Sequence, residues 1–346
     1  MFERAGEARP ESRIFQYRRQ SPVPLLAKWC VFGFRPGMTT ALFHHADAFD
    51  HVTPPGHPEQ VARMDAVMSA LQTLELERKT APMAADDDIL RVHPKAYLQS
   101  IRDAAPTDGW RALDADTHMS PGTLAAAYRG AGAAVAAVDC VLSGEAANAF
   151  SAMRSPGHHA ETATAMGFCF FGNVAIAAKH ALDHHGLGRV AIIDFDVHHG
   201  NGTQNLVEDD ARILFCSTHQ MPLYPGSGEP MDTGPHETVV NRALPDGAGS
   251  TAFRTVYERD ILPRVDAFAP ELILISAGFD AHARDPLAGL MLSTDDFRWI
   301  TEKICDLADA HCAGRVVSCL EGGYDLEALG DATRAHVETL KERGDG

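Results

Sequence analysis

From residue 38 onward, short runs rich in β-branched and apolar residues alternate with longer helical stretches, and this alternation constrains the fold more than any other feature. The runs at 189–195 (RVAIIDF), 212–217 (RILFCS), 271–276 (ELILIS) and 315–320 (RVVSCL) are almost continuously apolar. Strands covered on both faces of a parallel sheet read this way, whereas half-solvated strands alternate. Helices are expected at 121–145, 173–185, 250–263, 294–312 and 325–342. Pro121 stands near the start of the first and Gly144 near its end, as helix termini prefer. The expected class is therefore α/β, a largely parallel sheet between helical layers. Each strand runs into a polar, Gly-rich or His-rich loop, and in open α/β sheets ligands bind beyond the carboxyl ends of the strands.

Residues 1–37 bear Arg and Pro without a sustained period, and Met38 opens TTALFHHADAFDHV, which reads as a first strand and its loop. The expected organisation is a poorly ordered N-terminal extension at 1–37 followed by one catalytic domain at 38–343. No run approaches the roughly 18 consecutive apolar residues of a membrane span. The apolar stretch 24–34 (PLLAKWCVFGF) is interrupted by Lys28 and lacks a following small-residue cleavage site.

Thirty Lys and Arg against 47 Asp and Glu leave a formal charge of −17, which argues against nucleic acid or an anionic membrane as the main partner. The seven cysteines are scattered and never form C-x-x-C, so they predict buried thiols in a reducing, cytoplasmic setting. Nothing in the pattern specifies an oligomeric state, and a homo-oligomer is compatible with it.

The chemistry concentrates in 191–204, AIIDFDVHHGNGTQ. Side chains alternate along an extended segment, so Asp194, Asp196 and His198 project to one side at its carboxyl end. Two carboxylates and an imidazole there are costly to bury without a cation. A second carboxylate-bearing loop, 271–286 (ELILISAGFDAHARDP), adds Asp280 just past another buried strand. Asp196, His198 and Asp280 together make a three-ligand site with an open position, the pattern of a catalytic metal rather than a structural one. His158 and His159 stand adjacent in the loop RSPGHH, where a pair of imidazoles can divide acid and base duties. Tyr324 follows two glycines in EGGYD, where its hydroxyl can stabilise an oxyanion. The pair His184-His185 sits late in a helix before Gly186 and is expected to be a solvated terminal turn.

RSPGHHA, GFCFFGNVAIAA, DFDVHHGNGTQ, YPGSG, SAGFDAHARDP and EGGY occur in the order and approximate spacing of the zinc-dependent histone deacetylase family, which also contains acetylpolyamine amidohydrolases. The sequence resembles that family over roughly residues 40–340, and the HHGNGTQ form is similar to its class II branch and bacterial relatives. The resemblance implies a single arginase-like three-layer α/β domain around an eight-stranded, mostly parallel sheet. It assigns one Zn2+ to Asp196, His198 and Asp280, acid and base roles to His158 and His159, and oxyanion stabilisation to Tyr324.

It further implies that Asp194 orients His158 and helps to hold a structural K+ or Na+ near the backbone of Ser217 and Thr218. Gly167, Phe168, Tyr224 and Leu287 fall where the family lines its acyl tunnel and tunnel mouth. Asn201 stands where one branch has an aspartate behind the second histidine, so the His159 base is expected to have a lower pKa. Tyr224 replaces the more usual tunnel phenylalanine. Binuclear manganese ureohydrolases share the implied fold but need D-x-H-x-D, and here the last position is Gly200. The implied substrate is an acylated amine, and Leu287, where polyamine-specialised relatives carry glutamate, favours acyl-lysine or a similar small neutral-stemmed amide over acetylpolyamine.

Overall fold

Eight strands form one sheet in the computed structural model, which describes residues 1–2 and 39–345. All but the first two residues of the expected extension, and Cys30 with them, lie outside the described residues. In chain order the strands are β1 (Thr40–His44), β2 (Glu77–Thr80), β3 (Asn148–Ser151), β4 (Val190–Asp194), β5 (Ile213–Gln220), β6 (Val239–Leu244), β7 (Leu272–Ala277) and β8 (Val316–Leu320). Their spatial order is β2-β1-β3-β8-β7-β4-β5-β6, and every pairing is parallel. The expectation of a mostly parallel sheet is thus exceeded. The one antiparallel pair among named strands is a separate ribbon, Arg111–Ala112 with His118–Met119.

The central strands are fully buried along their length, as their unbroken apolar runs require. Val190, Ile192 and Ile193 are each 0% exposed, and burying a side chain of this kind contributes about 1.5–3 kcal/mol. The helices used below are α1 (Ala62–Ala70), α2 (Thr123–Leu142), α3 (Asn173–Asp183), α4 (Asn201–Val207), α5 (Thr294–Cys312) and α6 (Leu326–Gly344). Helices α2 and α3 pack together on one face of the sheet, and α6 packs with α1 and α5 on the other. Ala131, Ala133, Ala134 and Ala137 of α2 are completely buried, and their small side chains let the helix axis approach the strands closely. Helix α2 is long and apolar enough to cross a membrane, but most of it is buried inside this domain.

Local signals explain the helix starts. Asp325 caps α6 by accepting the Ala328 N–H at 2.8 Å, and Ser293 with Asp296 forms a capping box at α5. The helix expected at 250–263 continues to Phe268, with a π-helical segment at Tyr257–Ile261 just before Pro263, which lacks an N–H.

Parallel strands place all their carboxyl ends on one rim. The loops leaving β3, β8, β7 and β4, four adjacent central strands, therefore meet there, and they carry RSPGHH, EGGYD, GFDAH and FDVHH.

Candidate active site

The segment after β4 turns Asp196 and His198 inward, and the segment after β7 brings Asp280 to them. One donor atom from each of the three lies within 4.8 Å of the others, and all three residues are buried. His198 Nδ1 is 3.1 Å from Asp196 Oδ1 and 3.2 Å from Asp280 Oδ2. The other oxygens are spoken for: Gly322 N–H donates to Asp196 Oδ2 at 2.8 Å, and Val197 N–H to Asp280 Oδ1 at 2.8 Å. Asp280 Oδ2 is buried without a hydrogen-bond partner among the described residues.

That orphaned oxygen fits a bound cation, as does the backbone around it. A Cβ on Gly322 would strike the carboxylates of Asp280 and Asp196, and one on Gly278 would strike Asp196. Only glycine lets the chain pass this close to the acid pair. Burial and the neighbouring Asp196 charge push the Asp280 carboxyl up to about 7, while the two carboxylates overcome burial and raise His198 to about 10. A divalent ion relieves both strains, because it compensates the carboxylates directly and takes the imidazole nitrogen in its neutral form. The residues present therefore fit a zinc ion, which two carboxylates and one imidazole can hold with a position left open.

His158 and His159 face this cluster from the β3 loop, their ring centroids 4.0 Å apart. His158 Nδ1 donates to Asp194 Oδ2 at 3.0 Å. Burial alone would lower its pKa, but the carboxylates of Asp196 and Asp194 outweigh it and hold His158 well above the usual imidazole value. His159 goes the other way. Burial and the positive charges of His158 and His198 keep it well below that value, and its partner is the neutral amide of Asn201, 2.7 Å away.

Tyr324 follows β8, and its backbone N–H donates to Asp285 Oδ2 at 2.7 Å. The other oxygen of Asp285 accepts the Leu287 N–H at 3.0 Å, so one carboxylate ties the phenol loop to the half-buried Leu287. Burial and the nearby Asp280 raise the Tyr324 hydroxyl well above the usual phenol range, which keeps it a proton donor. Phe168 lies edge-on to Tyr324 with centroids 5.9 Å apart, and Tyr224 lies edge-on to His159 at 5.2 Å. Gly167, at φ +54°, packs against the His159 ring where a Cβ would collide with it.

Asp194 and Ser217 are register partners on β4 and β5. The Ser217 hydroxyl bonds His219 Nδ1 and the Thr218 hydroxyl bonds Tyr257, both at 3.0 Å. His282 is not drawn into the cluster: its ring stacks on Phe297 and its Nδ1 accepts the Arg284 N–H. His184 and His185 are not merely a solvated turn, because His185 Nε2 donates to Asp139 at 2.6 Å.

Sequence reasoning missed the buried ionic cluster behind Tyr324. Arg154 grips Glu59 with two bonds of 2.6 Å, and Arg63 donates to Glu59 at 2.9 Å and to the carbonyls of Gly323 and Glu321 at 2.7 and 2.6 Å. The Arg63 guanidinium also lies 5.0 Å from the Tyr324 ring centroid. Glu59 is completely buried in this cluster. Its i,i+4 spacing from Arg63 was the available signal. Glu321 was missed as well: its carboxylate receives the Gly157 and His158 N–H groups at 2.6 and 3.2 Å and so holds the His-His loop.

The sequence pattern described as "Histone deacetylase domain" matches residues 57–340. The chain is 42% identical over 307 residues to "Histone deacetylase 14, chloroplastic" of Arabidopsis thaliana, covering 82% of this chain and 73% of that one. It is 41% identical over 300 residues to the "Histone deacetylase-like amidohydrolase" of Pseudomonas aeruginosa, covering 84% and 79% respectively. A "Probable deacetylase" of Archaeoglobus fulgidus is 38% identical over 299 residues, covering 84% and 82%. Among solved structures, the HDA15 HD domain superposes with a TM-score of 0.83 at 28% identity, covering 89% of this chain and 90% of that one.

Proposed function

The chain belongs to the histone deacetylase family, and from that membership we propose that residues 38–343 form a zinc-dependent amidohydrolase domain that removes an acetyl or other acyl group from an acylated amine, acyl-lysine foremost. The observation that carries this reading is the convergence of Asp196, His198 and the orphaned oxygen of Asp280 beside a histidine pair of opposed basicity.

Zinc held by these three side chains would supply a Lewis acid that polarises the amide carbonyl and acidifies the attacking water. His159, kept neutral by its burial and its neutral partner, accepts the water's proton at Nε2. The Tyr324 hydroxyl donates to the oxyanion. His158, held protonated by Asp194 and Asp196, stabilises the developing charge, and the histidine pair returns a proton to the departing amine. Phe168, Tyr224 and Gly167 give the acyl chain an apolar path, with Leu287 at its mouth. Asp194 with the Ser217 and Thr218 carbonyls is the proposed seat of a structural K+ or Na+. The six described cysteines are all free and buried, in keeping with a reducing compartment such as the cytoplasm.

Gly200 disfavours a binuclear ureohydrolase, since a Cβ at that position would strike Asp194, leaving no room for the missing carboxylate. The deciding experiment is hydrolysis of a fluorogenic acetyl-lysine amide before and after chelation and after zinc is restored. Turnover that chelation removes and zinc returns is the expected result. Zinc-loaded protein without turnover would make this an acyl-amine binding protein. A panel of acetyl-lysine peptides, acetylated polyamines and longer acyl-lysines compared by kcat/KM then selects the substrate class.

A further inference from the structure

Four side chains outside the site described above converge at the carboxyl ends of α2 and α3. Asp139 comes from α2, while His180, His184 and His185 come from α3 and the residues just after it. One donor atom from each lies within 4.8 Å of the others. Helical spacing puts His180 and His184 on one face, where their rings stack with centroids 4.8 Å apart. His185 folds back beside them as the chain turns at Gly186, which has φ +71°. His180 Nε2 and His185 Nε2 both donate to the same oxygen, Asp139 Oδ1, at 2.6 Å.

Two imidazoles sharing one carboxylate oxygen, with a third beside them, is an unusual use of three histidines if the purpose is only a hydrogen bond. The tautomers sharpen the point. To donate from Nε2, a neutral His180 leaves Nδ1 bare, and that atom is buried without a partner in a side chain 6% exposed. The nearest carboxylate to it is Asp88, 3.9 Å away. If a cation replaced the Nε2 proton, the proton would move to Nδ1 and face Asp88. Metal-binding histidines characteristically offer their second nitrogen to a carboxylate in this way. His184 is exposed, and the side chains of His185 and Asp139 are 24% and 49% exposed, so an ion can enter from solvent.

We propose that Asp139, His180, His184 and His185 form a second metal site, selective for imidazole-preferring divalent transition ions such as Zn2+, Co2+ or Ni2+. Three neutral imidazoles and one carboxylate complete a four-ligand set without an open position, the pattern of a structural rather than a catalytic ion. The location agrees. Helices α2 and α3 end just before β3 and β4 begin, so the cluster sits at the amino-terminal rim of the sheet, opposite the loops that carry His158, Asp196 and Tyr324. An ion there joins the ends of two helices and takes no part in hydrolysis.

The probe is Co2+ titrated into chelator-stripped full-length protein, followed by its visible d–d absorption and by equilibrium dialysis. Wild type is expected to take up two equivalents. His184→Ala/His185→Ala, altered at accessible positions, is expected to lose one equivalent and keep the other. Asp139→Asn should weaken that same equivalent by at least about 10-fold, and Asp280→Ala should retain it. A His184→Ala/His185→Ala chain that binds as much Co2+ as wild type overturns the site, whatever Asp280→Ala does. Loss at Asp280 alone would bear on the catalytic cluster and leave the second site standing.

Discussion

Nδ1 of His159 lies 2.7 Å from Oδ1 of Asn201, whose Nδ2 in turn donates to Glu161 at 2.8 Å. The second bond fixes which end of the amide faces the ring. An amide oxygen only accepts, so His159 carries its proton on Nδ1 and presents a bare Nε2 to the substrate side. Asn201→Asp would replace that dipole by a charge favouring the imidazolium, raising a pKa that burial and neighbouring cations now hold low. Since the neutral form is the base, activity should fall off at higher pH on the acid side. The acid limb of kcat/KM is expected to move up by about 1 pH unit or more. An unmoved limb would remove His159 from the role of base.

Asp196→Ala or Asp280→Ala should release the ion held by this cluster and abolish hydrolysis, because each leaves only two ligands. Elemental analysis and the fluorogenic assay on the same preparation check both halves. Wild-type turnover from either variant would exclude these carboxylates as ligands.

Tyr324→Phe removes a hydroxyl but keeps the ring against Phe168 and Arg63. Zinc content and melting temperature should stay unchanged while kcat drops on the order of 10²–10³. An unchanged kcat would reduce Tyr324 to packing.

Glu59→Ala would leave Arg63 and Arg154, both fully buried, without their shared carboxylate. Breaking a buried pair from one side costs about 3–5 kcal/mol, readable as a shifted urea midpoint. Burial opposes ionisation of Glu59, but Arg154 overcomes it and depresses the carboxyl below its ordinary value. The stabilisation is therefore present above the ordinary carboxylate pKa and disappears only in strong acid, as pH falls through the depressed value. A loss below 1 kcal/mol at neutral pH would contradict the cluster's structural role.

Leu287→Glu places a charge on the residue whose backbone shares Asp285 with the Tyr324 loop. A cationic polyamine passing an apolar rim loses hydration without gaining a partner, while the methylenes of acyl-lysine lose little. Wild type should prefer acetyl-lysine peptide, and the variant should shift the kcat/KM ratio towards an acetylated polyamine. A strong polyamine preference in wild type would refute this assignment.

Strands β4, β5, β7 and β8 were legible because each is a buried apolar run long enough to declare itself, and the capped helices between them followed. Strand β2 (ERKT) and strand β3 (NAFS) were not, since four residues carry no period and β2 lies at the sheet edge with charged side chains. The pairing of Asp196 with His198 is a property of local spacing, as is the adjacency of His158 and His159. The arrival of Asp280, whose carboxylate binds Val197 from 83 positions away, depends on β7 lying beside β4, and no local pattern encodes strand order. The same holds for Glu59 with Arg154, and for Asp139 with His180 and His185. Periodicity and capping act over a few residues and so can be read along the chain. Which buried charge meets which partner is decided only when the layers close and every desolvated group must find one.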